Sequence, residues 1–300
     1  MAESIGIVGG GALGTLLGAK LAKAGHHVRM AVRSAERREA ILRESWGVHV
    51  ADGAEALADS TLVYLCVKAF DTETAALELR VLPSTVGVAS LQNGWGNLEA
   101  LERTLPGHPL VAGATALGAY FDASGSLQAS LSGGTIFAPW GETEIRWAEY
   151  AATLFESAGL KAETRRHARP TLWRKLVLNA GVNPLSAISG RTNGDVLDAP
   201  PLLHLAEAAA REAAHVGISL GYWEPGIDPA PLVRALLEET RSNRSSMAED
   251  LARGRRTEIE EIVGPILRLA AEQSRPVPVL EALHALVLAA TDSAPPDVIP

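Results

Sequence analysis

Residues 5 to 14 read IGIVGGGALG, an apolar run broken by a G-x-G-x-x-G triplet of Gly9, Gly11 and Gly14. The next stretch, ALGTLLGAKLAKAG, carries apolar residues at helical spacing and ends on Gly25, which is placed to cap a helix C-terminus. A strand that turns on glycine into a helix leaves few folds open. Gly9 allows the tight turn, Gly11 lets backbone approach a pyrophosphate, and Gly14 lets helix and strand pack closely. The helix N-terminus then offers unpaired N–H groups to an anion. The motif therefore predicts a dinucleotide cradle made by Gly9, Gly10, Gly11, Ala12, Leu13 and Gly14. The plainer alternative is a glycine-rich turn with no ligand.

Further runs, HVRMAVR, STLVYLCVK, VGVASLQNG and PLVAGATALGAY, read as strands separated by helical stretches. That rhythm implies parallel pairing through crossovers, hence an α/β fold with a Rossmann-type doubly wound sheet. The segments SLQASLSGG and TIFAPWGE read as an appended hairpin. Beyond Arg169-Pro170 the texture becomes Ala, Leu, Glu and Arg, with helices expected near 171–188, 200–217, 229–241, 246–272 and 278–290. The expected organisation is a nucleotide-binding domain over 1–167, an all-helical substrate-binding and catalytic domain over 168–291, and a proline-rich, frayed tail over 292–300.

A cofactor without a 2′-phosphate calls for Asp or Glu at the end of the second strand, to hold the ribose hydroxyls. This chain has Arg33 there, followed by Ser34, Arg37 and Arg38. A guanidinium takes a phosphate through two parallel hydrogen bonds, so NADPH is the favoured cofactor. Solvated loop charges are the alternative reading.

In LWRKLVLNAGVNPLSAISG, residues 172 to 190, Lys175, Asn179 and Asn183 recur every fourth position in an otherwise almost wholly apolar stretch. On a helix they drift about 40° per step and form one polar edge about 12 Å long. Pro184 predicts a kink or helix end beside that edge. Polar groups among apolar ones are costly unless paired. Either a substrate supplies the partners, or the edge is a hydrogen-bonding seam between domains, with Lys175 reaching water along its stem.

The net charge of -8 leaves no basic face for nucleic acid, and no apolar run is long enough to span a membrane. The glycine-broken N-terminus reads as strand and turn, not as a signal peptide, so the cytoplasm is expected. The single cysteine, Cys66, lies in an apolar run and reads as a structural thiol. The eight histidines are scattered and the adjacent His26 and His27 share no ligand face, so no metal is expected. The one G-x-S-x-G, Gly217 to Gly221, closes a helical stretch and follows no strand run, so it is not the strand-to-helix nucleophile elbow of a serine hydrolase. The Ala- and Leu-rich second half leaves a homodimer open.

The segments GIVGGGALG, LCVKAFDT, LQNGWGNLE, LWRKLVLNAGVNPLSAI, NGDVL and NRSSMAEDLARGRRTEIEEIVG, in this order, resemble the ketopantoate reductase family from about residue 4 to 288. The resemblance implies a nucleotide-binding domain, a helical domain, a cleft between them, and reduction of a small 2-oxo acid by NADPH. It implies Lys175 as proton donor, Asn179, Asn183, Asn193 and Ser246 at the substrate, and Asn93 at both substrate and cofactor. Lys68, Ala119 and Glu258 would lie at the cofactor. Residues 221–231, GYWEPGIDPAP, are less like the family, and Trp95 is bulkier than expected there. Ser246 with Glu249 also fits a capping box. On one unbroken helix Ser246 and Glu258 would stand about 18 Å apart, too far to share a substrate atom.

The expected reaction is hydride transfer to the carbonyl carbon of 2-dehydropantoate, giving pantoate for vitamin B5 and coenzyme A. A related reductase of another 2-oxo acid or imine is the alternative, and a non-catalytic dinucleotide sensor a more distant one.

Overall fold

The short apolar runs form strands because they are buried on both faces, as parallel sheets require. The chain, in a computed structural model describing residues 2–44, 46–122, 124–131 and 133–292, divides into two compact units. Residues up to 92 together with 96–171 form the first; residues 93–95 together with the chain from Leu172 onward form the second.

In the first unit β1 (Ser4–Val8), α1 (Ala12–Lys23), β2 (His27–Ala31), α2 (Ala35–Arg43) and β3 (His49–Ala51) are followed by β4 (Leu62–Leu65), α3 (Thr72–Leu79), β5 (Gly87–Ser90), α4 (Asn97–Thr104) and β6 (Leu110–Thr115). After these come β7 (Gly118–Phe121), β8 (Leu127–Ser130), β9 (Thr135–Pro139), α5 (Ile145–Ser157) and β10 (Ala162–Thr164). The eight-stranded sheet has the order β10-β9-β6-β5-β4-β1-β2-β3. All its pairings are parallel except β6 with β9. The strand order reverses at β1, which lies between β2 and β4, so the glycine turn opens at the switch point of a doubly wound sheet. Under the sheet, the Phe155 ring meets Tyr64 at 5.4 Å and Phe137 at 4.9 Å.

Two strand readings are corrected. The run 109–120 is not one strand, because it breaks at Ala116 and Leu117 into β6 and β7. The hairpin expected between SLQASLSGG and TIFAPWGE does not form. β8 pairs instead with β7 as a separate ribbon, and β9 joins the main sheet against β6. The three-residue strands β3 and β10 were too short to show a pattern in sequence.

The second unit contains α6 (Ala168–Ser189, from Leu172 onward), α7 (Asn193–Leu197), α8 (Pro200–Ser219), α9 (Ala230–Glu239), α10 (Ser246–Ala252), α11 (Ile259–Ile262), α12 (Gly264–Glu272) and α13 (Pro278–Asp292). Trp173, Val177 and Ala180 of α6 are fully buried, and α8 packs with its alanines turned inward. Small residues permit close approach: a Cβ on Gly181 would lie 2.7 Å from the Ala206 carbonyl oxygen.

The helix expected over 246–272 is three helices. Gly254 at φ +65° ends the first stretch, and Pro265 starts α12 afresh, since proline fits only a first turn. Pro184, by contrast, does not end α6, which continues to Ser189. The frayed tail expected over 292–300 lies, from residue 293 on, outside the described residues.

Candidate functional site

In the first unit the glycine turn has the backbone geometry that the motif requires. Gly9 sits at φ +112°, in the left-handed region that favours glycine. Nothing lies within 4 Å of a Cβ built on Gly11, whereas one on Gly14 would meet the Gly9 carbonyl oxygen at 2.2 Å. Gly11 is the N-cap of α1 and offers no side chain to the first-turn amides, and the space beside its own Cα is open, so an anion can supply the missing acceptor at this helix N-terminus. Gly10 packs toward Val32. This open, donor-rich turn fits a pyrophosphate.

The arginines beyond β2 are used differently from one another. Arg38 donates to the carbonyl oxygens of Val32 and Arg33, both at 2.8 Å, and the Arg37 guanidinium lies 4.2 Å from the centre of the Phe121 ring. Ser34 caps α2 by accepting from the Arg37 amide. Arg33 extends to Asp71, with Nη2 3.3 Å from Oδ1. Lys68 is the N-cap of a short 3-10 turn after β4 that ends on Asp71. Buried Gln92 holds that turn, donating to the Lys68 carbonyl at 3.3 Å and to Thr72 Oγ1 at 2.8 Å. Ala119 lies in β7, opposite Ala129. Burial pushes the Cys66 thiol up to about 12, which disfavours its thiolate.

In the second unit Lys175, Asn179 and Asn183 do share one edge of α6, since a single helix runs through them. Lys175 is part-buried and Asn183 buried. Loss of solvent lowers the Lys175 ammonium to about 8, while the Glu258 carboxylate acts in the opposite direction. Glu258 is 4% exposed and its Oε2 accepts from Asn93 Nδ2 at 3.1 Å. Asn93 therefore belongs with the helical unit even though it follows β5. The segment is fixed by the Trp95 amide, which donates to the Glu261 carbonyl at 2.9 Å, and by Gly94 at φ +87°. Trp95 then turns its ring onto Trp173 at 5.0 Å and Tyr222 at 5.3 Å. The size of Trp95 is thereby accounted for: it packs in an aromatic cluster.

Asn193 and Ser246 stand apart from this group in their contacts. Asn193 is buried, donates to Thr240 Oγ1 at 2.7 Å, and leaves its own Oδ1 without a hydrogen bond. Ser246 is exposed and does not form the helix cap that its spacing to Glu249 also allowed. The cap of α10 is Ser245, whose Oγ accepts from the Ala248 amide at 3.1 Å, which leaves the Ser246 hydroxyl uncommitted to that role. The helix between Ser246 and Glu258 is broken, so a separation based on one straight helix no longer applies. Asp71, Thr240 and Glu261 were not singled out in the sequence; only tertiary contact reveals their parts. Among the described residues no group of three metal-ligating side chains occurs, and no helix is long and apolar enough to cross a membrane.

Two family models match the chain: Ketopantoate reductase PanE/ApbA over residues 5–142, and its C-terminal counterpart over 167–291. The 2-dehydropantoate 2-reductase of Archaeoglobus fulgidus is 35% identical over 277 residues, 90% of this chain and 92% of that protein. A crystal structure of a PanE/ApbA family ketopantoate reductase from Ralstonia eutropha is 30% identical, with a TM-score of 0.85 over 97% of this chain and 99% of that one. D-mandelate dehydrogenase, solved with NADH and anilino(oxo)acetate, shares the fold at 22% identity, with a TM-score of 0.89 over 97% of this chain and 99% of that one.

Proposed function

We propose, from the fact that this chain belongs to the ketopantoate reductase family, that it is a cytoplasmic oxidoreductase reducing 2-dehydropantoate to pantoate with NADPH, on the route to vitamin B5 and coenzyme A. The observation that carries this reading is the environment of Lys175: an ammonium lowered to about 8, accompanied by buried Glu258 and, through it, Asn93. Reduced nicotinamide, when bound, supplies a hydride to the carbonyl carbon. Negative charge then grows on the carbonyl oxygen, where Lys175 both stabilises it and gives up a proton. Desolvation makes that proton easier to release than an ordinary lysine's. Asn179 and Asn183, from the same helix edge, orient the polar ends of the substrate. Asn93 assists them, and Asn193 offers its unpaired acceptor to a substrate hydroxyl.

Steady-state oxidation of NADPH with 2-dehydropantoate, with NADH as control, tests the reading; no turnover with any 2-oxo acid would end it. Because Glu258 supports the charge on Lys175, Glu258→Gln moves the alkaline inflection of kcat/KM to lower pH, and an unmoved inflection would separate the two groups. Arg33→Asp lowers the preference for NADPH over NADH by about tenfold or more, since a charge-assisted bidentate contact is replaced by repulsion. An unchanged ratio of kcat/KM values removes Arg33 from the site.

A second reading, reduction of a different 2-oxo acid, is favoured by one observation. Tyr222, from the segment 221–231 that reads as less like the family than its neighbours, packs against Trp95, two residues from Asn93. A panel of 2-oxo acids differing in bulk at the third carbon separates the two.

A further inference from the structure

Where the end of the second strand carries an arginine, no carboxylate is left on that side of the cradle for a ribose diol. The fold brings one in from the other side. Asp71 follows β4, Arg33 follows β2, and both strands flank β1 in parallel. Their C-terminal ends share one edge of the sheet, about 10 Å apart across β1. The Arg33–Asp71 pair at 3.3 Å therefore spans the edge where the glycine turn opens. Arg37 and Arg38 do not compete for Asp71, being turned to Phe121 and to backbone carbonyls. Nor is Asp71 needed as a cap: it occupies the N-cap position of α3 without a side-chain hydrogen bond. Its turn is nevertheless fixed, through Gln92 and Thr72.

We propose that Asp71 sets cofactor discrimination: its carboxylate occupies the partner position on Arg33 that a 2′-phosphate needs, and accepts from the 2′-hydroxyl of a cofactor lacking that phosphate. This rests on the reading that the cradle takes a nicotinamide dinucleotide with Arg33 at its ribose. Asp71 holds Arg33 extended and ready, at the cost of repelling the phosphate dianion beside it. The same carboxylate makes the unphosphorylated cofactor tolerable, as an acidic residue at the second strand does elsewhere. The chain is thereby tuned to a moderate preference for NADPH.

The test is direct binding, by titrating the folded protein with NADPH and with NADH and following intrinsic tryptophan or reduced-nicotinamide fluorescence. Wild type, Asp71→Asn, Arg33→Ala and the double variant are compared. Asp71 makes no cap hydrogen bond and asparagine is nearly its isostere, so Asp71→Asn leaves the fold intact. It raises the ratio of Kd for NADH to Kd for NADPH about fivefold, the size of a half-exposed charge contact. The increase is smaller but persists when Arg33 is alanine, since the carboxylate still faces the phosphate, and it shrinks in high salt. A ratio that stays put or falls in Asp71→Asn, while Arg33→Ala lowers it, overturns the role of Asp71 alone. If Arg33→Ala also leaves the ratio unchanged, the assignment of the 2′-phosphate to Arg33 falls with it.

Discussion

Lys175→Met should depress kcat by about 10² to 10⁴, the usual contribution of a positioned general acid, while NADPH still binds with near-native affinity. Methionine keeps the length and apolar stem of lysine and removes only the ammonium, so loss of packing does not confuse the result. In the wild type, kcat/KM for reduction falls as pH rises through about 8, where Lys175 loses its proton. The same variant also changes stability, with a sign fixed by linkage. The native pKa, about 8, lies below the ordinary 10.5, so the unfolded chain holds the proton more tightly. Between those two pH values wild-type stability rises with pH; below pH 8 the native state carries the full cost of the desolvated charge. That cost is about 3 kcal/mol, offset in part because Glu258 would lose its counter-charge. Lys175→Met is therefore more stable than wild type at pH 7, by about 1 to 2 kcal/mol, and the gain fades toward pH 10. Thermal unfolding at pH 7 and pH 10 measures it. A variant that keeps a third of wild-type kcat would show that the proton comes from another group.

This lysine also marks how far sequence alone could lead. The edge formed by Lys175, Asn179 and Asn183 was legible because helical spacing is local, and the glycine turn because each glycine answers a backbone demand within ten residues. The strands β1, β2, β4 and β5 were legible for the same reason. What the sequence could not supply is everything that depends on contacts between distant segments. Asn93 meets Glu258 across 165 positions, and Arg33 meets Asp71 by reaching over an intervening strand. The capping role that Ser246 also fitted is filled instead by Ser245, because the two serines are chemically alike and only the turn into α10 selects between them. The long helix over 246–272 was misread because its apolar period survives the breaks near Gly254 and Val263, while the backbone does not.

Gly14→Ala tests the dinucleotide cradle, and its effect on the fold should be the larger of two glycine substitutions in the same turn. A methyl group on Gly14 would lie 2.2 Å from the Gly9 carbonyl oxygen and 3.3 Å from Cys66 Cβ. The carbonyl has little room to yield: the Gly9 amide donates to Ala31 at 3.0 Å, and Val8 accepts from the Cys66 amide at 2.9 Å, so the end of β1 is tied on both sides. The helix must move instead, lifting Leu17 and Leu21, both almost fully buried, away from the sheet. Overpacking of this kind costs about 1 to 3 kcal/mol, and the displaced first-turn amides no longer converge on an anion. Gly14→Ala is therefore expected to lower Tm by several degrees and to weaken NADPH binding by about tenfold or more. Gly11→Ala provides the contrast. Its methyl group meets nothing within 4 Å, so the unliganded protein should melt like wild type, yet that methyl projects into the space reserved for the pyrophosphate and weakens NADPH alone. Melting curves without ligand, set beside NADPH titrations of both variants, distinguish packing from recognition. Equal melting losses in the two variants, or wild-type NADPH affinity in Gly11→Ala, would show that the open space above this turn is not where the dinucleotide binds.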